Sequence, residues 1–141
     1  MTNFTLILWN PTLFQLDNVI KDIPNIIEQK EIKISKDALH DFIYDVYKFD
    51  KRCTHHKVLP KKIAKLKEYN DNHIMIKFEI KNPTYSSKNK ICNQAVRLKE
   101  KIRNKYKKNI KGYIKDVLIH VADDIPQSNH IWDIKMSDYI I

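Results

Sequence analysis

The residues best suited to chemistry stand together at His120-Val-Ala-Asp123-Asp124, where an apolar run gives way to a helix start. In open α/β sheets ligands gather beyond the carboxyl ends of strands. Carboxylates there hold divalent metals or act as bases, and a helix N-terminus favours phosphate. In such a site His120 is the acid, base or ligand, Asp123 and Asp124 are the carboxylates, and Ser128, Asn129 and His130 follow close behind. Structural roles compete at two of these positions. Asp124 and Gln127 have the spacing of a helix capping box, and His120 suits a hydrogen-bonded place in a sheet equally well.

The second constellation is cationic. Arg97, Lys99, Lys101, Arg103, Lys105, Lys107 and Lys108 lie on one expected helix, opposed there only by Glu100. At 100° per residue they flank the apolar stripe on both sides and cover its back. Such ridges bind phosphates by releasing counterions, which gives salt-sensitive affinity without base recognition. Tyr85, Tyr106 and Tyr113 are close in sequence and stack on bases if exposed. The competing reading is a solvated helix face balanced by the acidic ends of the chain.

Other groupings carry less. Cys53, His55 and His56 with Cys92 are zinc-ligand types, but they lack the paired CxxC or HxxxH spacing of a tetrahedral site, and Cys92 suits a helical core face. Asp41 and Asp45 share a helix face, with Lys48 near enough for a surface ion pair, and His40 has no evident partner. With a single glycine the chain has no Walker loop and no GxGxxG turn, and it also lacks G-x-S-x-G and HExxH. P-loop hydrolysis and dinucleotide binding are poor fits.

The charge pattern sharpens this. Net charge is +9, and lysine outnumbers arginine 23 to 3, as AT-rich coding would produce whatever the function. Coding bias does not explain the distribution, however: residues 1–50 balance to −3, residues 51–111 to +15 and residues 112–141 to −3. Excess charge confined to the middle of the chain favours a polyanionic partner.

These groups need elements to hold them. Phe4 to Trp9 reads as a strand, and Asn10-Pro11 as a helix start whose apolar residues Leu16, Val19, Ile20, Ile23, Ile26 and Ile27 run past a kink at Pro24. Glu31 to Ile34 suggests a short strand. Ser35 caps a helix burying Leu39, Phe42, Ile43 and Val46, and a lysine-rich helix spans Lys61 to Tyr69. His73 to Ile80 alternates as a half-buried strand with Ile74, Ile76, Phe78 and Ile80 inward. The basic helix runs from about Ser87 to Lys108, Gly112 terminates or turns the chain, and Val117 to Val121 has the apolar run of a central strand. Trp132 to Ile141 is amphipathic enough to dock.

The pattern specifies an α/β or α+β fold, a small mixed sheet of three to five strands with helices packed on it, in one domain over residues 1–141. No apolar stretch reaches the ~20 residues of a membrane span, Met1 to Trp9 is too short and uncharged for a signal peptide, and two cysteines make no disulfide framework. The expectation is a soluble, intracellular, by default cytoplasmic protein. Its expected partner is nucleic acid or another polyanion, engaged by residues 51–111. The alternative is an enzyme acting on a phosphorylated small molecule or nucleotide through His120, Asp123 and Asp124, the one case in which a divalent metal enters. An acidic protein partner is a third reading.

Overall fold

In the computed structural model, which describes residues 1–50, 58–114 and 117–139, four strands form one antiparallel sheet in the order β2-β3-β1-β4. Strand β1 is Thr2–Leu8, β2 Ile26–Lys33, β3 Asn72–Ile80 and β4 Ile119–Val121. Helices are α1 Leu16–Lys21, α2 Leu39–Val46, α3 Leu59–Leu66, α4 Asn93–Tyr106 and α5 Ile125–Trp132. The α/β class and the strand number are as the pattern of elements requires.

Strand β1 lies inside the sheet and is buried on both faces from Phe4 to Leu8. Register puts Phe4, Leu6 and Leu8 opposite Phe78, Ile76 and Ile74, on the face where Leu98 of α4 approaches Phe78 and Ile80. The other face carries Ile7, Met75, His73 and His120 and is covered by α2, α3 and α5. This second cover corrects one expectation in part: His73 and Met75 are as enclosed as the isoleucines beside them, while Lys77 and Glu79 keep the partly exposed places of a half-buried strand.

Other departures have local causes. The first helix ends at Lys21, and Asn25, at φ 45°, turns the chain so that Ile26 opens a strand instead of extending the helix; β2 starts five residues earlier than Glu31. Asn10 caps nothing: Trp9 precedes the 3-10 turn Asn10–Gln15, and the Asn10 side chain bonds Asn70 and Asn72 instead. The basic helix starts at Asn93, six residues after Ser87, because Lys90 takes φ 57° and residues 85 and 92 form a β-bridge. Strand β4 is an edge, three residues long, whose apolar character comes from helices on both faces. Short length blunts one edge, and the charges of Glu28, Lys30, Glu31 and Lys33 blunt the other.

Expected caps and turns hold at Ser35, whose hydroxyl accepts from the Ala38 amide, and at Gly112, at φ 65°. Leu39, Phe42, Ile43 and Val46 are all buried. The C-terminal segment docks as Tyr139 donates to Asp45 at 2.7 Å, while Trp132 is flanked by the ammonium groups of Lys30 and Lys77 at 4.1 and 4.5 Å. Among the described residues no helix is long and apolar enough to cross a membrane.

Candidate functional site

The end of β4 enters α5 through His120, Asp123 and Asp124, all three buried. Asp124 performs the structural task its spacing implied: its Oδ1 accepts from the Gln127 amide at 2.8 Å. The reciprocal half of the capping box is missing, since the Gln127 side chain is used elsewhere. Its Nε2 donates to Asp123 Oδ1 at 3.1 Å and its Oε1 faces His120 Nε2 at 2.8 Å. A carboxylate only accepts, so the amide nitrogen belongs at Asp123 and the amide oxygen at His120. His120 therefore carries its proton on Nε2 and keeps Nδ1 as a base.

Burial and four side chains act on that imidazole. Burial holds the His120 pKa well below the ordinary histidine range, the charges of Lys62 and Lys99 lower it further, and Arg103 adds to the effect while the Gln127 hydrogen bond opposes it. Lys62, on α3, was not singled out in the sequence, where it is one lysine in a run of basic residues. It is fully buried, donates to the Tyr47 hydroxyl at 2.7 Å and lies 4.3 Å from the centroid of the Trp9 ring. Tyr47 also touches His120, with ring centroids 4.4 Å apart. Alternation of Leu59, Ile63 and Leu66 on the buried face of α3 was the available signal, because Lys62 and Leu66 share that face at a spacing of four.

The cations of α4 divide by helical geometry into two rows. Arg97, Lys101 and Lys105 repeat every four residues and are exposed, and Lys108 continues the row beyond the helix. Lys99 and Arg103 form the opposite, half-buried row, whose charges help to lower the His120 pKa, with Lys107 exposed beyond them. The exposed row is not wholly solvated: Asp22, at the end of α1, pairs with Lys105 at 2.9 Å and Lys101 at 3.7 Å. Burial alone would raise the Asp22 pKa, but the hydrogen bonds from Lys105 and Tyr106 and the charges of Lys105 and Lys101 bring it below the usual carboxylate value.

The remaining candidates scatter. Ser128 accepts from the Thr5 amide at 3.2 Å and so fastens α5 to β1. His130 pairs with Asp45 at 2.8 Å, so Asp45 serves His130 and Tyr139 where an ion pair with Lys48 was expected. His40 stacks on Tyr44 and meets Asp41 at 3.1 Å. Tyr106 is buried, Tyr113 half-buried and Tyr85 39% exposed, which leaves Tyr85 as the accessible ring of the three. Cys92 is buried and its amide donates to the Asp123 carbonyl at 2.6 Å; Cys53, His55 and His56 lie outside the described residues. Among the described residues no three His, Cys, Asp or Glu side chains are grouped to hold a metal.

No known family model matches the chain, and no curated protein matches it either.

Proposed function

We propose that the protein binds a phosphate-rich polymer, nucleic acid foremost, along the exposed row of α4. One observation carries the reading: Arg97, Lys101, Lys105 and Lys108 present four cations on one side of the helix, with Lys101 and Lys105 still 60% and 51% exposed despite their contact with Asp22. Phosphate contacts of this kind position a polymer without reading its sequence. Binding of a labelled oligonucleotide is measured across a salt series. Four phosphate contacts give a log–log slope of about −3 to −4, and affinity indifferent to salt, or no binding at low salt, sinks the proposal.

A second reading is an enzyme acting on a phosphorylated small molecule or nucleotide. The observation favouring it is the buried hydrogen-bonded chain from His120 through Gln127 to Asp123, in the tautomer that leaves His120 Nδ1 as a base. His120 and Asp123 are the acid–base pair in this reading, and Asp124 remains a cap. Release of inorganic phosphate from nucleotides and sugar phosphates tests it, with Asp123→Asn as the inactive control. Equal release by the parent and by Asp123→Asn removes Asp123 from the chemistry.

A further inference from the structure

On the sheet face that carries α4, a cavity of about 380 Å³ lies where β3 ends beside the turn into β2. Its size falls within the range of small-ligand sites, roughly 300–1,000 Å³. Ile80 of β3, Leu98 of α4 and Pro24 of the turn give it apolar walls. The turn is held in place because Asn25, at φ 45°, has a carbonyl that accepts from the Glu79 amide at 3.0 Å. The exposed Asn25 side chain, also in the lining, offers an amide donor and acceptor.

Two charged groups of the lining bear on what enters. Lys101 belongs at once to the cavity and to the exposed row of α4, so the recess adjoins the cations. Asp22 lines it as well and is a carboxylate paired with Lys101 and Lys105, which opposes an anion inside the cavity and leaves room for a neutral, largely apolar body. Arg97, Lys101 and Lys105 advance ~6 Å at each step along the helix, comparable with the span of one nucleotide in an extended strand. We infer that the cavity receives an unpaired base of a single-stranded nucleic acid whose phosphates lie along Arg97, Lys101 and Lys105. The inference rests on the polymer reading and narrows it: a duplex keeps its bases stacked inside, whereas a single strand can turn one out to meet apolar walls and an amide.

Fluorescence anisotropy at low salt compares oligo(A), oligo(dA) and an abasic strand of the same length, which carries the same charge without bases. Methyl spectra follow Ile80 and Leu98, with Ile43, buried in α2, as the control. A base-bearing strand binds about tenfold tighter than the abasic strand and shifts the Ile80 and Leu98 methyls by its ring current, while Ile43 stays. Whichever of oligo(A) and oligo(dA) does so identifies the sugar that the site accepts, and an oligo(dA)·oligo(dT) duplex binds without moving these methyls. Leu98→Phe fills the cavity and brings the affinity for the base-bearing strand down to that for the abasic one; Ile80→Phe does so from the opposite wall. Equal affinity for base-bearing and abasic strands overturns the inference and leaves the polymer reading standing. So do unmoved Ile80 and Leu98 methyls in a saturated complex, or an undiminished base preference in a folded Leu98→Phe or Ile80→Phe. Absence of binding by every strand at low salt refutes both.

Discussion

The Asn10 amide donates to Nδ1 of His73 at 2.9 Å, which fixes the imidazole with Nδ1 as acceptor and its proton on Nε2. Protonating Nδ1 breaks this bond inside the core. Burial first, and then the charge of Lys62, lower the His73 pKa to about 4. In the unfolded chain the group titrates near 6.5, so between these values only the unfolded state takes up the proton. The contribution to stability is complete above pH 6.5, declines as the pH falls and levels off below about 4, amounting to about 3 kcal/mol. His120, lowered in the same direction, adds to the loss. Urea unfolding at stepped pH checks this, with His73→Gln, which keeps an acceptor near Asn10, giving a flatter profile.

Asp124 opens α5, and its side chain accepts from the Gln127 amide. Asp124→Ala removes the cap and costs about 1–2 kcal/mol, while Asp124→Asn retains most of it. Thermal unfolding separates the two variants. Equal loss in both would mean that the negative charge, not the cap, sets the contribution of Asp124.

Reversing Lys101, Lys105 and Lys108 together looks harmless in the sequence, because none of them lies on the apolar stripe. The structure divides them. Lys105→Glu sets a carboxylate against Asp22 and weakens the contact between α1 and α4, whereas Lys108 is exposed beyond the helix. Lys108→Glu therefore lowers oligonucleotide affinity at unchanged melting temperature, and Lys105→Glu lowers both. Asp22→Asn has the opposite effect on binding: it releases Lys101 and Lys105 and raises affinity at low salt. Anisotropy titrations with parallel melting curves read all three.

The sequence made legible what depends on near neighbours. Apolar periodicity marked α2, the Asp124 and Ser35 caps were visible as residue types at short spacing, and alternation marked β3. Long-range cover was not legible. Nothing near His73 announces that α2 and α3 will close over it, and the order of strands that makes β4 an edge is absent from its apolar run. The same limit applies to the site. His120 and Asp123 were evident as reactive types, but Lys62 and Tyr47 join them from α3 and the end of α2, across 58 and 73 residues of chain respectively, and a lysine in a basic run carries no mark of burial.

Gln127 decides the protonation geometry of the network, because its one amide faces a pure acceptor on one side and an imidazole on the other. Gln127→Leu has similar bulk and removes both functions. His120 Nε2–H then loses its acceptor in a buried setting, a cost of about 1–3 kcal/mol. The tautomer is no longer fixed by a partner at Nε2, so long-range ¹H–¹⁵N spectra of the ring change from a pure Nε2–H pattern to a mixture. Gln127→Glu acts differently, since a carboxylate beside Asp123 is repelled while it attracts a charged imidazole. The His120 pKa rises and acid stability improves relative to Gln127→Leu. A parent spectrum showing the proton on Nδ1 at neutral pH would refute the assignment of Nδ1 as the base and with it the acid–base role given to His120.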